Sequence, residues 1–179
     1  MSLHATPRPG DTMPGFTLPD TAGEPVALAG RDAAATVVVF TCNHCPYALA
    51  WHARIQAVGR DYADRGVRLL QISSNDADRY PRDAPEAMRR RVEAGEFAGP
   101  YLHDASQEVA RGYGAKVTPD VFVLDADLRL AYRGAPDDDH KDESLAAGWV
   151  RAALDSVLAG EAVAEPLTKP VGCTIKWRP

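Results

Sequence analysis

The chain has 179 residues, a length that suggests a single domain with room for a substantial core. Hydrophobic residues make up 45% of the chain and the formal net charge is −5, which does not fit a basic nucleic-acid-binding protein. No stretch approaches the length of a membrane span, and the first residues lack the apolar region of a secretory signal. We therefore expect a cytoplasmic protein with neither nucleic-acid nor membrane partners.

The predicted elements alternate between strands and helices, which indicates one α/β domain with a core over about residues 11–160. In chain order, they are a β-hairpin at 16–18 and 26–28, a strand at 37–40, a helix at 47–62, a strand at 67–72, a polar insertion at 76–99 with a short helix from residue 85 to about 94, a strand at 101–102, a helix at 106–112, a hairpin at 121–124 and 128–132, and a last helix at 143–159. This order implies a mixed central sheet with helices on both faces. Residues 1–10 are predicted to form a loose arm, and the proline-containing tail 161–179 is predicted to be extended.

The most informative stretch is the junction between the strand at 37–40 and the helix that follows it. Cys42 and Cys45 lie in this junction, so their sulfurs are expected near the N-terminus of a helix. Unpaired N–H groups and the positive end of the helix dipole favour a thiolate there, and the thiolate is the reactive form of cysteine. Two intervening residues let the second sulfur reach the first, so the pair is predicted to alternate between a dithiol and a disulfide.

A second informative spot is Thr118-Pro119, directly before the predicted strand at 121–124. A proline at the start of a strand is tolerated because its missing N–H is least costly there. Combined with a Cys-x-x-Cys pair upstream, the Thr118-Pro119 bond suggests a cis peptide.

The order of strand, Cys42-x-x-Cys45, helix, Thr118-Pro119, hairpin and last helix resembles the thioredoxin-like superfamily. Within it, four strings resemble a peroxiredoxin-like family of the alkyl hydroperoxide reductase and thiol-specific antioxidant (AhpC/TSA) type. These strings are FTCNHCPY, SSNDADRYPRDAPEAM, VTPDVFVLD and GCTIKW, and the N-terminal GDTMPGF is similar to the opening of the same branch. The resemblance implies a thioredoxin-like fold with an N-terminal β-hairpin extension, a helical insertion and an extended C-terminal tail.

The resemblance also implies a thiol-disulfide oxidoreductase that uses no cofactor and no metal. Cys42 would be the exposed thiol that attacks a disulfide, Cys45 the resolving thiol that displaces the product, and Pro119 the cis-proline packed beside them. Thr118 would present its main-chain groups to an extended substrate segment by strand addition. The expected partners are disulfide-containing proteins or small thiols and an unidentified electron donor.

The residues around the first cysteine are expected to tune and position it. Thr41 and Asn43 flank Cys42 and are expected to contribute to substrate binding. His44 is expected to stabilise the Cys42 thiolate, because it resembles the histidine in the Cys-Pro-His-Cys motif of periplasmic disulfide oxidases. A stabilised thiolate predicts a pair that is more oxidising than that of a thioredoxin.

Two other functions stay open. Peroxiredoxins resemble Pro-x-x-x-Thr-x-x-Cys with a distant arginine, but counting from Thr41 puts Val37 at the proline position and His44 at the cysteine position. A peroxiredoxin-like thiol peroxidase is therefore the second choice. A non-catalytic redox switch or a metal-binding thioredoxin-fold protein is the third, although a closed zinc site needs four ligands.

The third cysteine, Cys173, lies in the tail and has two interpretations. A free cysteine is often a small buried hydrophobic residue. The alternative is that the tail folds back over the active site and Cys173 exchanges with Cys42 as a third redox cysteine. Two charged clusters, at 89–91 and 137–140, are interpreted as solvated surface.

Overall fold

The computed structural model describes residues 6–179 and contains nine strands and four α-helices over that range. The strands are β1 (Phe16–Pro19), β2 (Pro25–Leu28), β3 (Ala35–Phe40), β4 (Val67–Ser73), β5 (Tyr101–His103), β6 (Val117–Thr118), β7 (Asp120–Asp125), β8 (Leu130–Gly134) and β9 (Cys173–Thr174). The helices are α1 (Pro46–Tyr62), α2 (Pro85–Glu93), α3 (Glu108–Tyr113) and α4 (Gly148–Leu158). None of the helices in this range is long and apolar enough to cross a membrane.

The central sheet has five strands in the order β5-β4-β3-β7-β8. Strand β3 runs parallel to β4, with Val38 opposite Leu70, and antiparallel to β7, with Val38 opposite Phe122. Strands β1 and β2 form a separate hairpin, and β6 pairs with β9 from the tail. This mixed sheet with flanking helices is the thioredoxin-like fold that the resemblance implied.

The buried strand β3 separates two hydrophobic layers, because successive side chains point to opposite faces of the sheet. On one face, Val37 packs in a cluster with Trp51 of α1 and Leu154 of α4. On the other face, Val38 packs in a cluster with Tyr113 of α3. All six residues of β3 are buried, so the end of this strand, where the cysteine junction begins, is held rigidly.

The last helix begins at Gly148, five residues later than predicted, because the residues before it form a loop that is held by a buried side chain. Asp137 in that loop is only 4% exposed, and its carboxylate accepts hydrogen bonds from Trp51 Nε1 at 2.6 Å and from Arg54 at 2.8 Å. Ala147 has a left-handed φ of 58°, which ends the loop just before the helix. The interpretation of 137–140 as solvated surface is therefore wrong for Asp137, which pairs with a buried arginine.

The tail is extended, as predicted, but it is attached along its length. Leu167 bridges to Arg133 of β8, and β9 then reaches β6 on the active-site side of the sheet. The first five residues of the predicted N-terminal arm lie outside the described residues. In its last part, the N–H of Gly10 donates to the carbonyl of Leu130 at 2.8 Å.

Candidate functional site

The two cysteines of the Cys-x-x-Cys pair lie in the segment that connects β3 to α1. Cys45 is the N-cap residue of α1, with φ −72° and ψ 122°, and Pro46 occupies the first turn, where its missing N–H has no helical partner to lose. Cys42 lies three residues earlier in the connecting loop. Both cysteines are free thiols, so the structure represents the reduced form of the pair.

Neither cysteine of the pair is exposed to solvent. Cys42 is 2% exposed and Cys45 is 0% exposed. The prediction that Cys42 is an exposed thiol is therefore wrong for this arrangement. The physical reason is that two segments outside the central sheet pack here, the insertion with Asp83 beside Cys42 and the tail with Cys173 against the pair.

Thr118 contacts both sulfurs of the pair. The Cys45 thiol donates to the Thr118 carbonyl at 3.1 Å, and Cys42 Sγ lies 3.5 Å from Thr118 Oγ1. The peptide bond between Thr118 and Pro119 is cis. The two informative stretches of the sequence thus meet at one point in the fold.

The protonation of the pair differs from the sequence prediction. Interaction with the Cys45 thiol, burial and the negative charge of Asp83 together raise the pKa of Cys42. The same interaction between the two thiols lowers the pKa of Cys45 to about 4, although burial opposes this. The negative charge of Asp83 therefore acts against a thiolate on Cys42.

Asp83, in a short 3₁₀ helix at Pro81–Asp83, is the functional residue that the sequence reasoning missed. Its side chain is 0% exposed, and its carboxylate accepts hydrogen bonds from the backbone N–H of Asn43 at 2.7 Å and from the Asn75 amide at 2.9 Å. The only hint in the sequence is the proline on each side of this turn, which favours an ordered loop. No pattern in the sequence places this aspartate beside the cysteines.

His44 lies between Cys42 and Asp83, so it is beside the first sulfur, where the sequence analysis expected it. Its Nδ1 atom is 2.6 Å from Asp83 Oδ2, with the geometry of an ion pair rather than of a linear hydrogen bond. When His44 is protonated, the two side chains together carry no net charge. His44 therefore lies beside Cys42 together with an acid, which was not expected from the sequence.

The two residues expected to contact substrate are used within the fold. Thr41 is 5% exposed, and its backbone N–H donates to the carbonyl of Ile72. The side-chain oxygen of Asn43 accepts from Tyr101 and from Arg91, each at 2.9 Å, and its NH₂ group donates to the Arg82 carbonyl. Substrate binding by Thr41 and Asn43 stays a prediction, although the insertion already occupies the side-chain amide of Asn43.

Arg91 is a further exception to the interpretation of 89–91 as solvated surface. Its side chain is 16% exposed, and it bonds Glu96 at 2.6 Å in addition to Asn43. The guanidinium also lies over the ring of Phe97, 5.0 Å from its centroid. Arg90 and Arg91 line an open cleft of about 490 Å³ next to Asn43.

Main-chain groups of Thr118, which were expected to receive a substrate strand, already have a partner. Thr118 lies opposite Cys173 in the antiparallel pairing of β6 with β9. Cys173 packs against the cysteine pair and interacts with the Cys45 thiol. The tail thus folds back over the active site, as one of the two interpretations proposed, and Cys173 influences the pKa of Cys45, whereas the interpretation paired it with Cys42.

One group of side chains could hold a metal ion. Cys42, His44 and Asp83 each offer a ligand atom, and these atoms all lie within 4.8 Å of one another. The local zinc ligands considered from the sequence were the two thiols and His44, and the structure adds a carboxylate to them. Three protein ligands with an open fourth position are typical of catalytic rather than structural zinc sites.

Comparison with known proteins places this site in a family. The model of the AhpC/TSA family matches residues 9–133. An uncharacterized conserved protein from Geobacillus kaustophilus is 40% identical and superposes with a TM-score of 0.90, covering 96% of this chain and 93% of that one. The hypothetical protein SMc02350 from Sinorhizobium meliloti 1021 is 37% identical, with a TM-score of 0.90 and coverage of 96% and 95%.

A relative with a named role is more distant. The methylamine utilization protein MauD from Paracoccus denitrificans is 28% identical over 138 residues, which is 76% of this chain. The match spans 63% of the length of MauD. Because the family model covers more than half of the chain, the protein belongs to the AhpC/TSA family.

Proposed function

We propose that the protein is a thiol-disulfide oxidoreductase that uses Cys42 and Cys45 as a dithiol-disulfide couple on protein or small-molecule disulfides. One observation carries this proposal. Two free thiols, at the N-terminus of α1 and in the loop before it, both contact Thr118. The lowered pKa of Cys45 supports it, because a thiolate is the attacking form.

The reaction is a pair of balanced thiol-disulfide exchanges. A thiolate of the couple attacks one sulfur of an external disulfide, which forms a mixed disulfide and releases one substrate thiolate. The other thiol of the couple then loses its proton and attacks the mixed disulfide, which releases the second substrate thiolate and leaves Cys42 and Cys45 joined. An external dithiol donor must then reduce the couple, and the donor is a partner that this proposal requires.

Reduction of insulin disulfides by dithiothreitol tests the proposal. We expect the wild-type protein to accelerate the reaction, and Cys42→Ser and Cys45→Ser each to lose at least about 100-fold of that rate, because residues that act as a unit are not additive. Trapped mixed disulfides would identify the attacking thiol. A trap through Cys42 in the Cys45→Ser variant matches the sequence prediction, whereas a trap through Cys45 in the Cys42→Ser variant matches the lowered pKa of Cys45. Insulin reduction that is equal in all three proteins would refute the proposal.

A peroxidase remains the alternative within the same family. Against it, the buried Arg133 is bonded to Asp120 at 3.0 Å and to the Gly114 carbonyl at 2.7 Å, so its guanidinium already has partners within the fold. Consumption of a hydroperoxide that depends on Cys42, without insulin reduction, would replace the proposed function by this one.

Metal binding is favoured by the cluster of Cys42, His44 and Asp83. Equilibrium dialysis against Zn²⁺ separates it from the redox proposal. One tightly bound zinc ion that is lost in Asp83→Asn, together with the absence of insulin reduction, would make the protein a metal binder.

A further inference from the structure

The tail adds a strand to the edge of the fold where an external substrate strand was expected. Strand β9 pairs antiparallel with β6, so that Cys173 lies opposite Thr118 and Thr174 opposite Val117. The ladder continues with the N–H of Ile175, which donates to the Lys116 carbonyl at 3.0 Å. In strand addition, main-chain pairing of this kind supplies affinity and the side chains supply specificity.

Gly172 shows how closely the tail approaches this edge. A Cβ atom at this position would lie 2.0 Å from the carbonyl oxygen of Thr118 and 3.2 Å from the nitrogen of Pro119. No real Cβ atom tolerates the first of these distances, so the closed position of the tail requires a glycine here. The tail therefore rests directly on the Thr118-Pro119 peptide bond, whose carbonyl accepts from the Cys45 thiol.

The tail is held closed by polar and apolar contacts beyond the strand. The Lys176 carbonyl accepts from the N–H of Asp76 at 2.8 Å and from the Gln107 amide at 2.9 Å, while its N–H donates to Asn75 Oδ1 at 2.8 Å. Ile175 is 2% exposed and belongs to one of the two core clusters. The closed tail thus packs as part of the folded domain.

The closed tail brings a third sulfur to the cysteine pair. Cys173 packs in one apolar cluster with Cys42, Cys45 and Ala48. Of the three cysteines, Cys173 alone is partly exposed, whereas the other two are buried. An external thiol or disulfide that approaches the closed protein therefore meets Cys173 first.

We propose that Cys173 is a third redox-active cysteine, which exchanges with the couple through Cys45 and links the buried pair to the surface. This step rests on the proposed function of the pair. In the oxidised protein, the Cys173 thiol loses its proton to solvent and its sulfur attacks Cys45 Sγ. The Cys45–Cys173 disulfide forms, the Cys42–Cys45 disulfide breaks, and Cys42 leaves as a thiolate that takes up a proton. No external oxidant is needed, because one disulfide replaces another.

The electrostatics of the cluster change in favour of this exchange when the pair is oxidised. In the reduced protein, burial and the neighbouring Cys45 raise the pKa of Cys173 to about 11. Once Cys45 is part of a disulfide it carries no charge, so this second cause disappears. The leaving Cys42 sulfur lies 3.5 Å from the Thr118 hydroxyl, which can donate to it.

An external dithiol then completes the route at the surface. It attacks Cys173 Sγ of the Cys45–Cys173 disulfide, the Cys45 thiolate leaves, and the second thiol of the dithiol resolves the mixed disulfide. The dithiol is oxidised and the protein returns to three thiols. The same steps in reverse reduce an external disulfide.

The test uses a Cys42→Ser variant equilibrated in glutathione redox buffers, acid-quenched, alkylated and mapped by peptide mass spectrometry. We expect an intramolecular Cys45–Cys173 disulfide as the main oxidised product. Adding Gly172→Ala should lower the equilibrium constant of that bond at least about tenfold, because it displaces the tail and so lowers the effective concentration of Cys173. Gly148→Ala is the matched control, since a Cβ there meets nothing within 4 Å, and it should leave the constant unchanged.

Separate glutathione adducts on Cys45 and Cys173, or a Cys45–Cys173 bond that forms equally well with Gly172→Ala, would overturn the proposal. The wild-type protein provides a second measurement that does not depend on how the variants fold. After treatment with less than one equivalent of diamide, it should contain both Cys42–Cys45 and Cys45–Cys173 peptides, and Cys42–Cys45 alone would also overturn the proposal. Failure of the proposed function would give a different result from failure of this inference. The Cys173→Ser variant, which keeps both cysteines of the pair, would then form no Cys42–Cys45 disulfide.

Discussion

Two segments outside the central sheet cover the cysteine pair, and they use different chemistry. The insertion 76–99 covers Cys42 and brings a buried carboxylate, Asp83, whose charge raises the pKa of Cys42. The tail 161–179 covers Cys45 and brings a thiol, Cys173, whose interaction with Cys45 lowers the pKa of Cys45. One cover therefore acts against a thiolate and the other acts in its favour.

The difference separates tuning from chemistry. A carboxylate cannot exchange with a disulfide, so the insertion can influence the pair only through charge and hydrogen bonding. A thiol can influence the pair in the same ways and can also exchange with its disulfide. The insertion is also attached through a buried hydrogen-bonded acid, whereas the tail is attached through a strand that requires Gly172. Substitutions in the two segments should consequently have separable effects.

The largest expected effect is on the stability of the insertion. Asp83→Leu removes the hydrogen-bond acceptor for Asn43 and Asn75 and the carboxylate beside His44, and we expect it to lower the free energy of unfolding by about 3–5 kcal/mol. Urea denaturation measures this. Glu93→Leu, at an exposed position of the same segment, is the control and should change stability by about 0.5 kcal/mol or less. A loss for Asp83→Leu that matches the control would mean that Asp83 does not hold the insertion in place.

The next effect concerns the tail. Gly172→Ala should increase the rate at which a maleimide modifies Cys42 and Cys45 in the reduced protein by about tenfold or more, because local opening governs access to buried groups. The reaction is stopped at successive times, and mass spectrometry measures the modified fraction of the protein at each time. Gly148→Ala again serves as the control. Equal rates in the two glycine variants would show that the tail does not shield the pair.

A smaller effect is expected on the reduction potential. Asp83→Asn removes a negative charge beside the pair, which is one of the causes that raise the pKa of Cys42, so a thiolate on either sulfur and with it the reduced form become more stable, and the potential should rise. His44→Ala should lower the potential, because it removes the imidazole that is predicted from the sequence to stabilise the Cys42 thiolate. Each pKa unit corresponds to about 30 mV. Glutathione equilibria measure the potential, with Glu93→Gln as the control, and a shift of the same sign in both site variants would contradict this assignment of charges.

The smallest effect is a shift in titration. Cys173→Ser should raise the pKa of Cys45 by less than about one unit, since it removes one of the interactions that lower it. The ultraviolet absorbance of the thiolate follows the titration. Because the pKa of Cys45 is lowered on folding, its contribution to the stability of the reduced protein is full above about pH 8.5 and is lost as the pH falls to about 4. An unchanged pKa of Cys45 in Cys173→Ser would show that Cys173 does not influence the protonation of the pair.

Local sequence patterns were sufficient to predict the frame of the site. The β-branched run before Phe40 forms a strand in which every residue is buried, and Pro46 begins a helix whose apolar residues recur every three or four positions. These are short-range signals, so they located the cysteine junction to within a residue. The last helix was predicted to begin five residues too early, because the hydrogen bond from the N–H of Ala147 to the buried Asp137 carboxylate belongs to a tertiary network with Arg54.

Local patterns in the chain place two cysteines between a buried strand and a helix, and the family resemblance adds a proline-preceded strand beside them. The groups that pack on each sulfur follow from tertiary contacts alone. Asn43 and Asp83 are 40 residues apart, and Cys173 is farther still from Cys45, so no periodicity connects them. The packing of the insertion and the pairing of the tail bring these groups together, and burial there makes their charges and thiols act on the pair more strongly than they would in water.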